Sequence, residues 1–254
     1  MTTMSQQHAT LLLLHSLLLI GYTRSDTCGQ DRKVLGDWFI EHGSTNLLEA
    51  PIPSLVSNVT KNPYQNQTNP PPSRDVYCAM QWSSDTDPVI GKRKYRLRDF
   101  KSEEAAARDN FTVTHKGHCG SCSSIQDLGV YIRQNLTDAT RSCAIKGMLS
   151  DRWERNCLRQ LGFSEECVTI WYYNILNTRR KCLVTCLLSK IRKEPFNRPD
   201  GSLNSCLQCD EDKSGPNFKY FSGRTRRNSG IPSAILRPES QIYHMEHCYW
   251  YGDL

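Results

Sequence analysis

Two cysteines separated by two residues, Cys119-Gly-Ser-Cys122, are the arrangement in this chain best suited to covalent chemistry. They lie in His115–Gln134 (HKGHCGSCSSIQDLGVYIRQ), after the β-prone Phe111-Thr-Val-Thr114 and before a helix expected from Ser123. The pair therefore sits at a strand-to-helix corner. Unpaired backbone N–H groups at a helix N-terminus favour a thiolate, so a free cysteine there would be a nucleophile or half of a redox couple. The histidines that follow, His244 and His247, are the bases a cysteine nucleophile could use.

The strand, the Cys119/Cys122 pair and the following helix together resemble the thioredoxin superfamily locally. That resemblance implies that Cys119 attacks a disulfide and Cys122 resolves it. It also implies that Gly230-Ile-Pro-Ser233 supplies a cis-proline beside the pair and that residues 143–209 are a helical insertion. Gly117-His-Cys-Gly-Ser-Cys122 is similar to the nucleophile segment of papain-like peptidases, which implies Cys122 as nucleophile and Cys119 as a bridging cysteine. Ser123 stands here where that family has an aromatic residue, and Lys116 where it has a glutamine. Asn228 precedes His244 and His247, the reverse of that family's order.

The compartment decides between reactive and structural cysteines. Leu11–Gly21 (LLLLHSLLLIG) reads as the apolar core of a secretory signal peptide, with cleavage expected after Ser25. All 12 cysteines lie beyond it. An even, high count behind a signal peptide reads as a disulfide framework. The candidates are Cys28, Cys78, Cys119, Cys122, Cys143, Cys157, Cys167, Cys182, Cys186, Cys206, Cys209 and Cys248, and their pairing is not readable from spacing. Disulfides would also take the sulfurs of both C-x-x-C pairs before a metal could, so no metal and no cofactor is expected. Four glycosylation sequons, at Asn58, Asn66, Asn110 and Asn135, agree with secretion, and two of them bracket the corner.

The net charge is +6. Basic runs occur at Lys92–Lys94, Arg179–Lys181 and Arg224–Arg227. They read as solvated faces, or as attraction to an acidic polysaccharide or matrix component. Nucleic acid is excluded by the compartment. No stretch after the signal region is long and apolar enough to span a membrane.

Three segments are expected. Residues 1–25 are the signal peptide, and residues 26–75 an N-terminal arm with a Pro/Asn-rich glycosylated linker. Residues 76–254 form a cysteine-rich α+β domain with a small sheet and a helical middle; a thioredoxin-like α/β fold with a helical insertion is the alternative. Strands are expected near Val76–Trp82, Lys94–Phe100 and Phe111–Thr114, with another from Ser229 to Leu236. Helices are expected over Ser102–Arg108, from Ser123, from Ser150 to a stop at Gly162, and from Ser164. Val168, Trp171, Ile175, Leu183, Leu187 and Ile191 form an apolar stripe, expected to be core, interrupted at Asn177-Thr178. The function expected is extracellular binding of a protein or acidic polysaccharide, or a structural role, without catalysis. The alternative is a thiol–disulfide oxidoreductase or cysteine-nucleophile hydrolase built on the corner.

Overall fold

The structure is a computed structural model that describes residues 59, 61–65, 75–86, 93–245 and 247. Cys28, Cys248, Asn58 and Asn66 lie outside the described residues, as do the expected signal peptide and most of the arm.

Three strands form one antiparallel sheet in the order β2-β1-β3. They are β1 (Tyr77–Thr86), β2 (Arg93–Phe100) and β3 (Thr112–Lys116). The period-2 alternation of β2 is realised. Tyr95 and Leu97 are buried towards the main core, while Arg98 stacks its guanidinium 4.2 Å from the Phe100 ring on the other face. Helix α1 (Glu103–Arg108) covers that second face, where Ala79, Phe100, Ala106 and Phe111 form a small separate cluster. Its start follows from Ser102, whose hydroxyl accepts the Ala105 N–H.

The helical part comprises α2 (Ile125–Arg133), α3 (Leu136–Gly147), α4 (Asp151–Gln160), α5 (Glu165–Ile191), α6 (Ser205–Lys213) and α7 (Gly215–Ser222). Short 3-10 turns follow at Arg227–Ser229 and Glu239–Gln241. Ile125, Leu128, Leu158, Val168 and Ile170 pack with Met80, Tyr95 and Leu97 in the main core. Asp127 joins two helix starts. Its amide donates to the Ser124 hydroxyl that caps α2, and its carboxylate accepts the N–H and hydroxyl of Ser164, the N-cap of α5.

The fold is a disulfide-rich α+β arrangement. A thioredoxin-like sheet is not present among the described residues, because every strand pair is antiparallel. Ser229–Leu236 is not a strand either: only its first residues turn inward, with Ile231 buried, and Leu236 is exposed. The expected linker is partly body. Tyr64 donates its hydroxyl to Asn174 Oδ1 (2.9 Å) on α5, and Asn217 on α7 donates to the Pro63 carbonyl (3.2 Å).

Helix α5 runs unbroken through Asn177-Thr178. Asn177 Nδ2 donates to the Lys213 carbonyl and the Ser214 hydroxyl, each at 3.0 Å, so these polar side chains are satisfied by the α6–α7 junction instead of ending the helix. The apolar stripe divides at that point. Val168 and Ile175 are core, but Leu183, Leu187 and Ile191 are exposed, because α6 docks on a different face of the helix.

Candidate functional site: a basic pocket beside the cysteine corner

The corner carries no dithiol. Cys119 is bonded to Cys78 on β1, and Cys122 to Cys167 in the first turn of α5. All four are buried. Both the redox pair and the Cys122 nucleophile are corrected by these bonds: neither sulfur is a thiol, and the two are not joined to each other. Helix α2 also starts later than expected, with Ser124 as N-cap, so the cysteines precede it. The backbone N–H groups that would favour a thiolate have partners. Cys119 N–H donates to Asp99 Oδ1 (2.6 Å), Ser121 N–H to the Phe221 carbonyl (2.9 Å) and Cys122 N–H to the Ser222 carbonyl (2.8 Å). No cis peptide occurs among the described residues, so Pro232 does not supply the segment the thioredoxin resemblance implies.

The histidines are held elsewhere. His247 Nε2 donates to the Ser229 carbonyl (2.7 Å), and His244 Nε2 lies 2.9 Å from Glu239 Oε1. His115, fully buried in β3, donates Nδ1–H to the Lys116 carbonyl (3.1 Å) and accepts the Ser123 hydroxyl at Nε2 (2.8 Å). Ser123 Oγ in turn accepts the Gly120 N–H (2.8 Å). Burial, reinforced by the Arg224 charge, holds the His115 pKa well below its usual value. A neutral serine–histidine pair with no exposed surface is a brace for the corner, because no substrate reaches it.

The second C-x-x-C is framework too. Cys206 bonds Cys186 and Cys209 bonds Cys182, two rungs between α5 and α6, while Cys143–Cys157 joins α3 to α4. The described cysteines thus form five disulfides, and none of them is free. Cys78, Cys119 and Asp99 lie close enough together to suggest a metal site, but both sulfurs belong to one disulfide. Asn110 and Asn135, the sequons within the described residues, are both exposed.

The basic run Arg224–Arg227 is not a solvated face. Arg224 is completely buried and donates to three carbonyls, those of Thr114 (2.9 Å), Cys122 (3.2 Å) and Ser123 (3.2 Å). It clamps the loop after α7 onto the corner. Arg226 donates to the carbonyls of Gln134 and Pro232. Asn228 completes the join: its Nδ2 donates to the carbonyls of Lys116 (2.6 Å) and Gly223 (2.8 Å), and its Oδ1 accepts the Thr225 N–H (2.7 Å).

These contacts enclose a pocket of about 570 Å³. Lys116, Gly117 and His118 from the corner form one wall, Lys219 and Tyr220 from α7 another, and Arg227, Asn228 and the Ser240–Tyr243 segment the rest. The Tyr243 N–H donates to the Arg227 carbonyl (2.8 Å), fixing that last segment. His118 Nε2 donates to the Tyr220 carbonyl (2.8 Å), with the two rings edge to face at 4.6 Å.

Lys116, Lys219 and Arg227 line the pocket, and no Asp or Glu does. Two carboxylates stand beside it: Asp75 pairs with Lys116 (3.1 Å), and Glu211 is shared by Lys219 (2.9 Å), Arg227 (3.1 Å) and Arg237 (2.6 Å). Burial works against the Glu211 charge, yet the three cations hold its pKa below the usual range. Positive charge is left over, and an anion entering the pocket would meet it.

His115–Gln134 thus contributes one wall of the site through Lys116 and His118, and not through its cysteines. Sequence reasoning missed the opposite wall. Its signal was present in Asn204–Tyr220, where the capping Asn204 starts α6 and Pro216 lies in the first turn of α7.

The fold and pocket define a disulfide-stapled α+β protein with a polar, cationic cleft. Residues 151–245, from α4 through the pocket's far wall, match the model of a family of unknown function (DUF8771). No curated protein and no solved structure matches the chain.

Proposed function

We propose that this is a secreted binding protein whose basic pocket takes an acidic saccharide, such as a sulfated or uronic acid-containing segment of a matrix polysaccharide. The observation that carries the proposal is the charge imbalance at the pocket, where Lys116, Lys219, Arg227 and Arg237 share only two carboxylates, Asp75 and Glu211, neither of which lines it. The neutral lining suits the same ligand. Ser240 and Gln241 offer hydrogen-bonding groups for hydroxyls, and Tyr220 and Tyr243 offer ring faces. The volume falls in the range of about 300–1,000 Å³ usual for small-molecule sites. Five disulfides support an oxidising, extracellular setting.

Calorimetric titration with a heparin-derived tetrasaccharide and with a neutral cello-oligosaccharide tests this. The sulfated ligand should bind, more weakly as salt rises, and the neutral one should not. Lys116→Gln and Lys219→Gln should each weaken binding about tenfold, as expected for loss of one charge-assisted hydrogen bond. Lys146→Gln, on the exposed surface of α3, should leave it unchanged. If all three variants behave alike, the binding is non-specific attraction to a basic protein and the pocket is not the site.

A further inference from the structure

The C-terminal half of α5 carries a surface that the pocket does not explain. From Cys167 to Lys193 the chain has no Asp or Glu, but it has Arg179, Arg180, Lys181, Lys190, Arg192 and Lys193. Within this stretch Leu183, Val184, Leu187, Leu188 and Ile191 are between 41% and 75% exposed. At about 100° per residue these five side chains fill one arc of roughly 140° on the helix. Lys190 flanks one side of the arc, Lys181 and Arg192 the other, and Arg180 lies in line with it one turn before. The opposite face is fixed to α6 by Cys182–Cys209 and Cys186–Cys206. The apolar arc is therefore held outward by covalent bonds.

The end of α3 extends the patch. Ile145 and Met148, both exposed, face Leu183 and Leu187 across an apolar groove of about 490 Å³. Two acids line the groove and both are engaged: Glu194 accepts the Ser205 N–H (3.0 Å), and Asp210 accepts the Thr178 hydroxyl. Among the described residues no ion pair engages Arg180, Lys181, Lys190 or Lys193.

We infer that this face docks the protein onto an anionic lipid bilayer. Charge complementarity selects that partner. A second copy of the same face would bring two sets of cations together, with only Glu194 and Asp210, both already engaged, as acids on either side. A ligand confined to the groove would leave Val184, Leu188 and Ile191 uncovered. A bilayer receives the whole arc at its interface and places the flanking cations, with their aliphatic stems, at headgroup level. Each Lys or Arg near an anionic leaflet strengthens binding roughly fivefold.

Flotation of the full secreted protein with vesicles tests the inference. Vesicles of phosphatidylcholine with about one-third phosphatidylglycerol should carry the protein, and pure phosphatidylcholine vesicles should not. Leu188→Ser with Ile191→Ser should lower partitioning at least tenfold, and Lys190→Gln with Lys193→Gln roughly 25-fold. All four positions are exposed, so far-UV circular dichroism and secreted yield should be unchanged. Lys219→Gln, in the basic pocket, should float like the parent protein. Failure to float on anionic vesicles overturns the inference. So does flotation that Lys219→Gln abolishes, or that the α5 variants leave intact. A dimer that Leu188→Ser with Ile191→Ser converts to monomer would make a second copy the occupant. Palmitate binding without flotation would restrict the ligand to the groove.

Discussion

Gly120 and Gly223 meet backbone to backbone. A Cβ on either residue would lie 2.5 Å from the amide nitrogen of the other. This contact joins the cysteine corner to the loop after α7, and the pocket opens beside it. It explains why both residues are glycine: Gly120 lacks room for a side chain, and Gly223 has both that constraint and a φ of +71°. The hydrogen bonds from Ser121 and Cys122 to the carbonyls of Phe221 and Ser222 prevent the two segments from moving apart.

Gly120→Ala should therefore destabilise the protein by about 3 kcal/mol, the upper part of the usual range for overpacking. Gly201→Ala is the comparison. Its φ is +79°, but no atom lies within 4 Å of the new Cβ, so the cost should be near 1 kcal/mol. Urea unfolding followed by circular dichroism measures both. Equal midpoints for Gly120→Ala and the parent would show that the two segments are not locked together.

The bridges should differ in value although all are framework. Cys122–Cys167 closes a separation of 45 residues that encloses only the short Cys143–Cys157 loop, and removing it as Cys122→Ser with Cys167→Ser should cost about 3–4 kcal/mol and lower the yield of folded protein. Cys186–Cys206 lies inside the loop already closed by Cys182–Cys209, so its loss should cost much less. Thiol titration of the denatured, unreduced protein should find no free thiol at the ten described positions. A reactive thiol at Cys122 would instead return the corner to chemistry.

What was legible in the sequence, and what was not, has a physical pattern. Elements specified by local signals were readable. The alternation of Lys94–Phe100 gave β2, and Ser102 and Ser164 marked two helix starts through their capping hydroxyls. The site was not readable, because its walls, such as His118 and Tyr220, are 102 residues apart in the chain and are joined by polar contacts. A basic run looks the same whether it faces water or, like Arg224, points inward to three carbonyls. Apolar periodicity likewise identifies one face of α5 but not what covers it. That depends on the disulfide rungs to α6, which spacing cannot assign.

Arg224 should be among the least replaceable residues. Its removal leaves three buried carbonyls short of a donor, and Arg224→Met should cost about 3–5 kcal/mol. Arg224→Lys should not restore stability, because one ammonium cannot reproduce the planar fork that reaches Thr114, Cys122 and Ser123 together. Unfolding midpoints test both, and a stable Arg224→Lys variant would show that charge alone suffices. Saccharide binding by any folded fraction of Arg224→Lys should also fall, since the clamp positions the Lys116 and His118 wall.

Stability should rise as pH falls from about 7.5 to about 5. Three carboxyls are responsible. Burial pushes Asp127 and Asp210 up to about 6, and Glu154 up to about 7 despite Arg179 at 3.1 Å. Their unfolded values are near 4. A raised folded pKa means that the folded state binds the proton more tightly, so the stabilisation is fully present below pH 4 and is lost as pH rises through 6–7. His115 works in the other direction: its depressed pKa gives a contribution present above about pH 6.5 that is lost as pH falls. Over the interval from 7.5 to 5 three carboxyls outweigh one histidine. Below about pH 4.5 the trend should reverse, because Glu194, held down to about 2 mainly by the Ser205 N–H, and Glu211 then favour unfolding. Guanidinium unfolding at about pH 5 and pH 7.5 should show the higher midpoint at pH 5. Glu154→Gln should narrow the difference by removing the group with the highest folded pKa, and a midpoint that instead climbs with pH would mean that these carboxyls are charged in the folded protein.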